Sequence, residues 1–431
     1  MTDAADGGTP RRLKNIVGGS IGNLVEWFDW YVYAAFAIYF ARSFFPAQDP
    51  TAELLQAAAV FAVGFVMRPI GAWLMGIYAD HKGRKAGLTL SVTLMCTGSL
   101  LIAIAPTHAQ AGLLSPAILV IARMIQGLSL GGEYGSSATY LSEMAGRQRR
   151  GLWSSFQYVT IIGGQLTALA FLVVLQAILT EAQLDAWGWR LAFGAGGVLA
   201  IVAFFIRSRL DETLSYKNVA ARVDRPRSTS RSLFREHPRE AFLVMALTAG
   251  GTASFYAYTI YLQKFLVNTS GFDRETASRI MTAGLACMML IQPLAGALSD
   301  RIGRKPMMIF FGASATLFTY PLFTTLEATR SVGVAFALVM ASLVMVTGYT
   351  SINAVVKAEL FPAHIRALGV ALPFAIANTI FGGTAEYVAL WLKDAGHERW
   401  FYIYISTLSA ISLVAYVLMR ETKTTSQILE D

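Results

Sequence analysis

Apolar residues run through this chain in long blocks separated by short polar or charged turns. Each block approaches the roughly 20 residues that an α-helix needs to cross a bilayer. The pattern predicts an all-α membrane protein with twelve transmembrane helices, at 17–41, 55–79, 86–106, 115–144, 152–179, 187–207, 240–267, 276–299, 305–325, 332–360, 366–393 and 398–420. Only 208–239 is polar for long enough to be a linker, and it divides the spans six and six. The expected organisation is an N-terminal segment (1–15), a six-helix bundle (16–207), the linker (208–239), a second six-helix bundle (240–420) and a tail (421–431). The first span is too long for a cleaved signal peptide, carries Glu26 and Asp29, and lacks a small-residue cleavage pattern.

One phrase occurs twice. Gly76-Ile-Tyr-Ala-Asp80-His-Lys-Gly83-Arg84-Lys85 returns as Gly296-Ala-Leu-Ser-Asp300-Arg-Ile-Gly303-Arg304-Lys305, each copy in a short charged loop between apolar blocks. Glu143 stands seven residues before Arg150, and Glu359 seven before Arg366, at almost the same offset. Repeats separated by half the chain imply two equivalent halves, the pseudo-symmetric layout of a secondary transporter.

Composition agrees. The chain is 55% hydrophobic and 14% charged with mean hydropathy +0.50, whereas a soluble domain carries about 25% charged residues. Lysine and arginine concentrate on one side: Arg11, Arg12 and Lys14; Lys82, Arg84 and Lys85; Arg147, Arg149 and Arg150; nine between Arg207 and Arg239; Arg301, Arg304 and Lys305; Arg366; Arg420 and Lys423. Only Arg42, Arg274, Arg330, Lys393 and Arg399 fall in the opposite loops. The positive-inside rule therefore places both termini in the cytoplasm. Net charge +8 reports topology, since no basic–aromatic module supports a nucleic acid partner. Cys96 and Cys287 lie inside apolar spans and read as small buried hydrophobes. With no CxxC, no His cluster and no GxxxxGK[ST] loop, neither a metal, a cofactor nor ATP hydrolysis is expected, and the chain does not read as an enzyme.

Ionisable residues inside a membrane mark function by default. Four cations fall within the spans, Arg68, Arg123, Lys264 and Lys357, against four anions, Glu26, Asp29, Glu133 and Glu386. The charges cancel, so the empty protein is expected to pair them internally, and a bound anion would free carboxylates to take up protons. In the first span Asn23, Glu26, Asp29 or Trp30, and Tyr33 recur every three to four residues as one polar stripe. Two carboxylates one turn apart in low dielectric suit proton coupling, with Glu133 at a similar level. The competing reading is a structural ion network. Counting about 1.5 Å per residue puts Asp29 about 18 Å and Arg68 about 16 Å above the cytoplasmic ends of their helices, so Arg68 is expected to pair with Asp29 or Glu26 in at least one state.

Arg123 either faces the cavity or snorkels outwards, and Lys264 and Lys357 lie near helix ends where snorkelling is cheap. The glycines Gly127, Gly131 and Gly135 make a smooth packing face. Gln157, Tyr158, Gln165, Tyr256, Tyr258, Asn353 and Asn378 offer cavity hydrogen bonds or helix–helix contacts. In the repeated loops, Gly83 and Gly303 permit tight turns, while Asp80 and Asp300 can cap a helix or pair with an arginine across the interface. Together with Arg84, Arg304, Glu143, Arg150, Glu359 and Arg366 they form a candidate gate latch, which needs a network because single surface pairs are worth about 0–1 kcal/mol.

The repeated Gly-x3-Asp-x2-Gly-Arg-Lys loop resembles the signature of the major facilitator superfamily. The runs Gly22-Asn23-Leu-Val-Glu26-Trp27-Phe28-Asp29 and Met67-Arg68-Pro69-Ile70-Gly71 resemble its metabolite:proton symporter family. Gly131–Tyr140, Ser155–Gln165, Lys264–Asn268, Lys357–Pro362 and Phe381–Leu390 resemble the α-ketoglutarate permeases within it, and the likeness extends from Ile16 to about Met419. The resemblance implies proton-coupled uptake of 2-oxoglutarate across a bacterial inner membrane, with protons as coupling ion and a monomer as the working unit. Glu26, Asp29, Arg68 and Arg123 match positions that the family's zwitterion carriers share, which suits coupling; Lys264 and Lys357 sit in the permease-like runs. Another organic acid (citrate, shikimate), a zwitterionic osmolyte, or a transporter-like nutrient sensor are the alternatives.

Overall fold

In hydrocarbon a helix is the one open-chain structure that satisfies all its own backbone polar groups. The computed structural model describes residues 9–47, 49–82, 84–131, 134, 138–139, 141–142, 147–208, 230–362 and 365–428, and every regular element among them is helical. The long helices are α1 (Thr9–Phe44), α2 (Pro50–Lys82), α3 (Arg84–Ile104), α4 (Leu114–Gly131), α5 (Arg150–Ile178), α6 (Trp189–Ser208), α7 (Pro238–Asn268), α8 (Arg274–Ile302), α9 (Arg304–Ala328), α10 (Val332–Glu359), α11 (Arg366–Asp394) and α12 (Glu398–Leu418). Among the described residues, ten helices have the length and hydropathy of a membrane crossing; α3 contributes a shorter apolar stretch, Thr89–Ile104, and α1 carries Glu26 and Asp29. Part of the sequence-predicted linker is ordered: Ser230–Glu236 is a short helix whose Leu233 is buried.

Helices α1–α6 pack together, as do α7–α12. Between the bundles α5 lies along α8, and α2 along α11. These interfaces exchange under the duplication, so the two halves face each other about a pseudo-twofold axis. The face bearing the start of α1 and the end of α12 is called the terminal face below, and the other the distal face.

Two glycine features shape this scaffold. On α2 and α4, a Cβ at Gly127 or Gly131 would collide with the backbone carbonyl of Gly64 or Arg68, so the helices touch backbone to backbone. Gly303, between α8 and α9, has φ +103°, a conformation that side chains rarely adopt. Helices α7 and α11 each contain a π-turn, Ala257–Tyr261 and Asn378–Gly382, and the α11 turn packs on the preceding part of α7, where Thr252 donates to Asn378 Oδ1. Such turns concentrate at functional sites.

Candidate functional site

Asp29 points into the first bundle. It accepts hydrogen bonds from Ser99 on α3 and from Gln126 Nε2 on α4 (2.7 Å), and it lies against Gly196 on α6. Gln126 Oε1 in turn accepts from Arg123 Nη1 at 2.8 Å. One amide therefore links the carboxylate of α1 to the guanidinium of α4. Arg123 is fully buried and does not snorkel; its charge rests over Trp30, Tyr33 and Phe61, the nearest ring centre 3.9 Å away.

In this conformation Arg68 pairs with neither Asp29 nor Glu26. Its guanidinium sits 4.2 Å from the ring centres of Trp30 and Phe65 and 5.3 Å from Trp27. Its Nε and Nη2 are buried without an acceptor, and among the described residues no carboxylate is within ion-pair distance. The reason is helical phase. Asp29 and Trp30 are about 100° apart on α1, so Asp29 turns inward while Trp30 meets Arg68. The first-span stripe thus divides between two environments. Glu26 is buried one turn away.

Around Arg68 the bundles meet through tyrosines. Tyr256 of α7 lies beside both Arg68 and Tyr31. Tyr158 of α5 lies beside Asn353, and Tyr134 donates to Asn353 Oδ1 at 2.9 Å. Lys357 Nζ donates to the same Asn353 oxygen (2.9 Å) and approaches Tyr349 (3.4 Å) and the face of Phe374 (4.1 Å). Lys357 is fully buried, so it does not snorkel either, and no carboxylate of the described residues neutralises it. Two buried cations, one from each bundle, therefore stand at either end of a polar path made of Tyr31, Tyr256, Tyr158, Asn353, Tyr134 and Tyr349. Gln157 is buried beside Tyr158. Such a path can hydrogen-bond a small polyanion while the aromatic rings exclude water.

Three sequence candidates are placed elsewhere. Lys264 is fully buried, paired with Glu386 of α11 (2.7 Å) and bonded across the bundles to Ala34 O (2.9 Å). Tyr33 spends its hydroxyl on Ala57 O (2.8 Å) within the first bundle. Gln165 donates to Thr259 O of the α7 π-turn (2.6 Å), a cross-bundle pin. Of the eight charges expected to cancel, the described residues bring together a direct pair, Lys264–Glu386, and the bridged Asp29–Gln126–Arg123 set. Glu133, Glu143 and Gly83 lie outside the described residues, as do the side chains of Asn23, Asp80 and Arg84.

Contacts close both ends of the passage. On the terminal face Asp300 accepts the first backbone N–H groups of α5, from Gly151 (2.8 Å) and Leu152 (2.9 Å), and pairs with Arg304 (2.8 Å). The aspartate thus caps a helix of the other bundle while its own loop's arginine holds it. Arg304 also faces Glu359 at 3.7 Å. Glu359 and Arg366 are not paired with each other: Glu359 accepts from Thr422 (2.6 Å), and Arg366 donates to the carbonyls of Phe361 and Gln427. Arg150 is buried in the same cluster. On the distal face Arg274 of α8 pairs with Asp185 (2.7 Å) and Glu181 (3.3 Å) and lies over Tyr39. Sequence reasoning missed Ser99, Gln126, Tyr31, Tyr134, Tyr349 and Arg274. Polar side chains inside apolar spans were the available signal, but their partners come from distant helices.

The Major Facilitator Superfamily model matches residues 19–385 and 265–430. The chain is 52% identical over 417 residues to the alpha-ketoglutarate permease of Escherichia coli K12, covering 96% of this chain and 95% of that one. It is 27% identical over 419 residues to a proline/betaine transporter of Salmonella typhimurium, covering 95% and 83%. Among solved structures, the E. coli proton:xylose symporter XylE bound to 6-bromo-6-deoxy-D-glucose superposes with TM-score 0.75 at 18% identity over 96% of each chain.

Proposed function

Because the chain belongs to the major facilitator superfamily, whose members here are membrane transporters rather than enzymes, we propose that it is a proton-coupled symporter importing 2-oxoglutarate or a close dicarboxylate. Transport proceeds by alternating access between two bundles of six membrane helices, in a bacterial inner membrane, with the terminal face cytoplasmic. The observation that carries this reading is Arg68, buried at the bundle interface with two nitrogens lacking acceptors, and Lys357 of the other bundle, with no carboxylate partner for either cation among the described residues. Two cations of low-dielectric surroundings favour a ligand with two negative charges. A dianion held by both would draw the bundles together. The permease likeness supports the same substrate class.

Asp29, hydrogen-bonded to Ser99 and Gln126 and tied through Gln126 to Arg123, is the proton-coupling centre in this reading, with Glu26 adjacent on α1. Arg123 moves from the substrate contacts to this coupling set. Each charge crossing about 100 mV is worth about 2.3 kcal/mol, so a dianion entering a negative-inside cell is opposed by about 4.6 kcal/mol. Two protons cancel that opposition and a third makes uptake favourable.

The test is uptake of labelled 2-oxoglutarate into proteoliposomes with a protonophore control and a panel of unlabelled competitors. Collapse with the protonophore and competition by dicarboxylates, both lost in Arg68→Ala, are expected. Strongest competition by citrate, shikimate or betaine would reassign the substrate. Binding without accumulation would make the protein a sensor.

A further inference from the structure

Beyond α12 the chain does not leave the protein. Glu421–Ile428 folds back beneath the second bundle, with Thr422 and Ile428 buried at 2% and 5% exposure. The Glu421 carboxylate caps α9, accepting from the backbone of Arg304 and Lys305 at 2.9 Å each. It occupies the space a Cβ on Gly303 would need, so the motif glycine serves this contact as well as its own positive φ. Lys423 Nζ donates to Asp300 O (2.5 Å), and Thr422 Oγ1 to Glu359 Oε2 (2.6 Å). Gln427 closes a loop, its N–H on Glu359 O and its carbonyl accepting from Arg366, both at 2.9 Å. Ser426 accepts from Arg150 of the first bundle at 3.5 Å.

Each latch residue described on the second bundle, Asp300, Arg304, Glu359 and Arg366, thus has a partner in this segment, and one residue of the segment reaches the first bundle. We infer that Glu421–Ile428 is a working part of the terminal-face gate. Glu421, Thr422 and Gln427 are positioning residues that hold Asp300 and Arg304 where they cap α5, and the segment releases when that face opens. The inference rests on the alternating-access reading. Its mechanical logic is that Asp300 spans the bundles only while the Gly303–Arg304 turn is fixed, and Glu421 fixes that turn. Capping carboxylates at helix starts are stabilising, and losing two such bonds favours the open gate.

The test uses the full chain with Cys96 and Cys287 replaced by serine and spin labels at Gln148→Cys and Arg301→Cys, both exposed and on opposite bundles. Distances between the labels are measured in lipid nanodiscs for the parent, Glu421→Ala, Glu421→Gln and Thr422→Val. Glu421→Ala is expected to raise the wide-distance population about tenfold and Thr422→Val about threefold. Glu421→Gln, which keeps one carbonyl acceptor, should fall between parent and alanine. Parent-like distances in all three variants overturn the inference. So does a lowered melting midpoint with unchanged distances, which would make the segment merely structural. Failure of the parent to accumulate dicarboxylate would count against the transport reading and leave the distance result standing.

Discussion

Lys264 and Glu386 offer a quantitative test of which cations face the substrate. Their charged atoms are 2.7 Å apart and both side chains are almost wholly buried. Removing one partner of such a pair costs about 3–5 kcal/mol, because the survivor is left as an uncompensated buried charge. Lys264→Met and Glu386→Gln should therefore each lose about that much, whereas Lys264→Met with Glu386→Leu should lose only about 1 kcal/mol, for the bond to Ala34.

The two single losses should not add, because either substitution already breaks the pair. Denaturation midpoints in detergent, with binding of labelled 2-oxoglutarate to each variant, measure both quantities. A double variant that loses the sum of the two single losses, or loss of dicarboxylate binding in a stable double variant, would refute the pairing and return Lys264 to the substrate contacts.

Asp29→Asn is expected to abolish proton-driven accumulation and retain counterflow, which needs no net proton movement; loss of both in proteoliposomes would make Asp29 structural. Asp300→Asn weakens the α5 cap and the pair with Arg304, so it should slow turnover several-fold with substrate affinity within about twofold; steady-state uptake with equilibrium binding separates these effects. Gly127→Leu, which drives a side chain into the Gly64 backbone, should prevent a stable fold, whereas Gly163→Ala, whose Cβ meets only Leu24 and Met289 at ordinary distances, should stay within about 0.5 kcal/mol of the parent in thermal unfolding.

The all-helical membrane architecture and the glycine packing face are legible because hydrocarbon enforces them locally: a span needs its length, and a close crossing needs its glycines. The partners of buried charges are set differently. Lys264 and Lys357 look alike in sequence, each a lone lysine near a helix end. What separates them is Glu386, which the fold of α11 brings to Lys264 and keeps from Lys357. The surroundings of Arg68 in this conformation have the same origin. Neighbouring helices and matching depth suggest a pair with Asp29, but a rotation of about 100° on α1 gives Arg68 tryptophan and turns Asp29 to Ser99. The tail was invisible for a simpler reason. Its polar residues carry no periodicity, and only the latch they meet reveals their use.

The duplication covers some of these features and not others, and the division has a physical cause. The loop motif and the Glu-x6-Arg pair recur in both halves, whereas none of the buried charges does: the positions equivalent to Arg68, Arg123, Lys264, Lys357, Asp29 and Glu386 in the opposite half are all uncharged. Under the alternating access proposed above, the two bundles benefit from matched hinges, since equal loops resist opening equally on either side of the axis. Matched charges would behave differently. A cation repeated by the twofold near the axis would face its own copy across a low-dielectric interface and repel it. Placing Arg68 on α2 and Lys357 on α10, which are not equivalents, lets two cations face one passage at different levels, joined by tyrosines rather than opposed. A symmetric scaffold with an asymmetric charge set thus suits both parts of the proposal, movement as two equal halves and a single, directional site for an unsymmetrical acid.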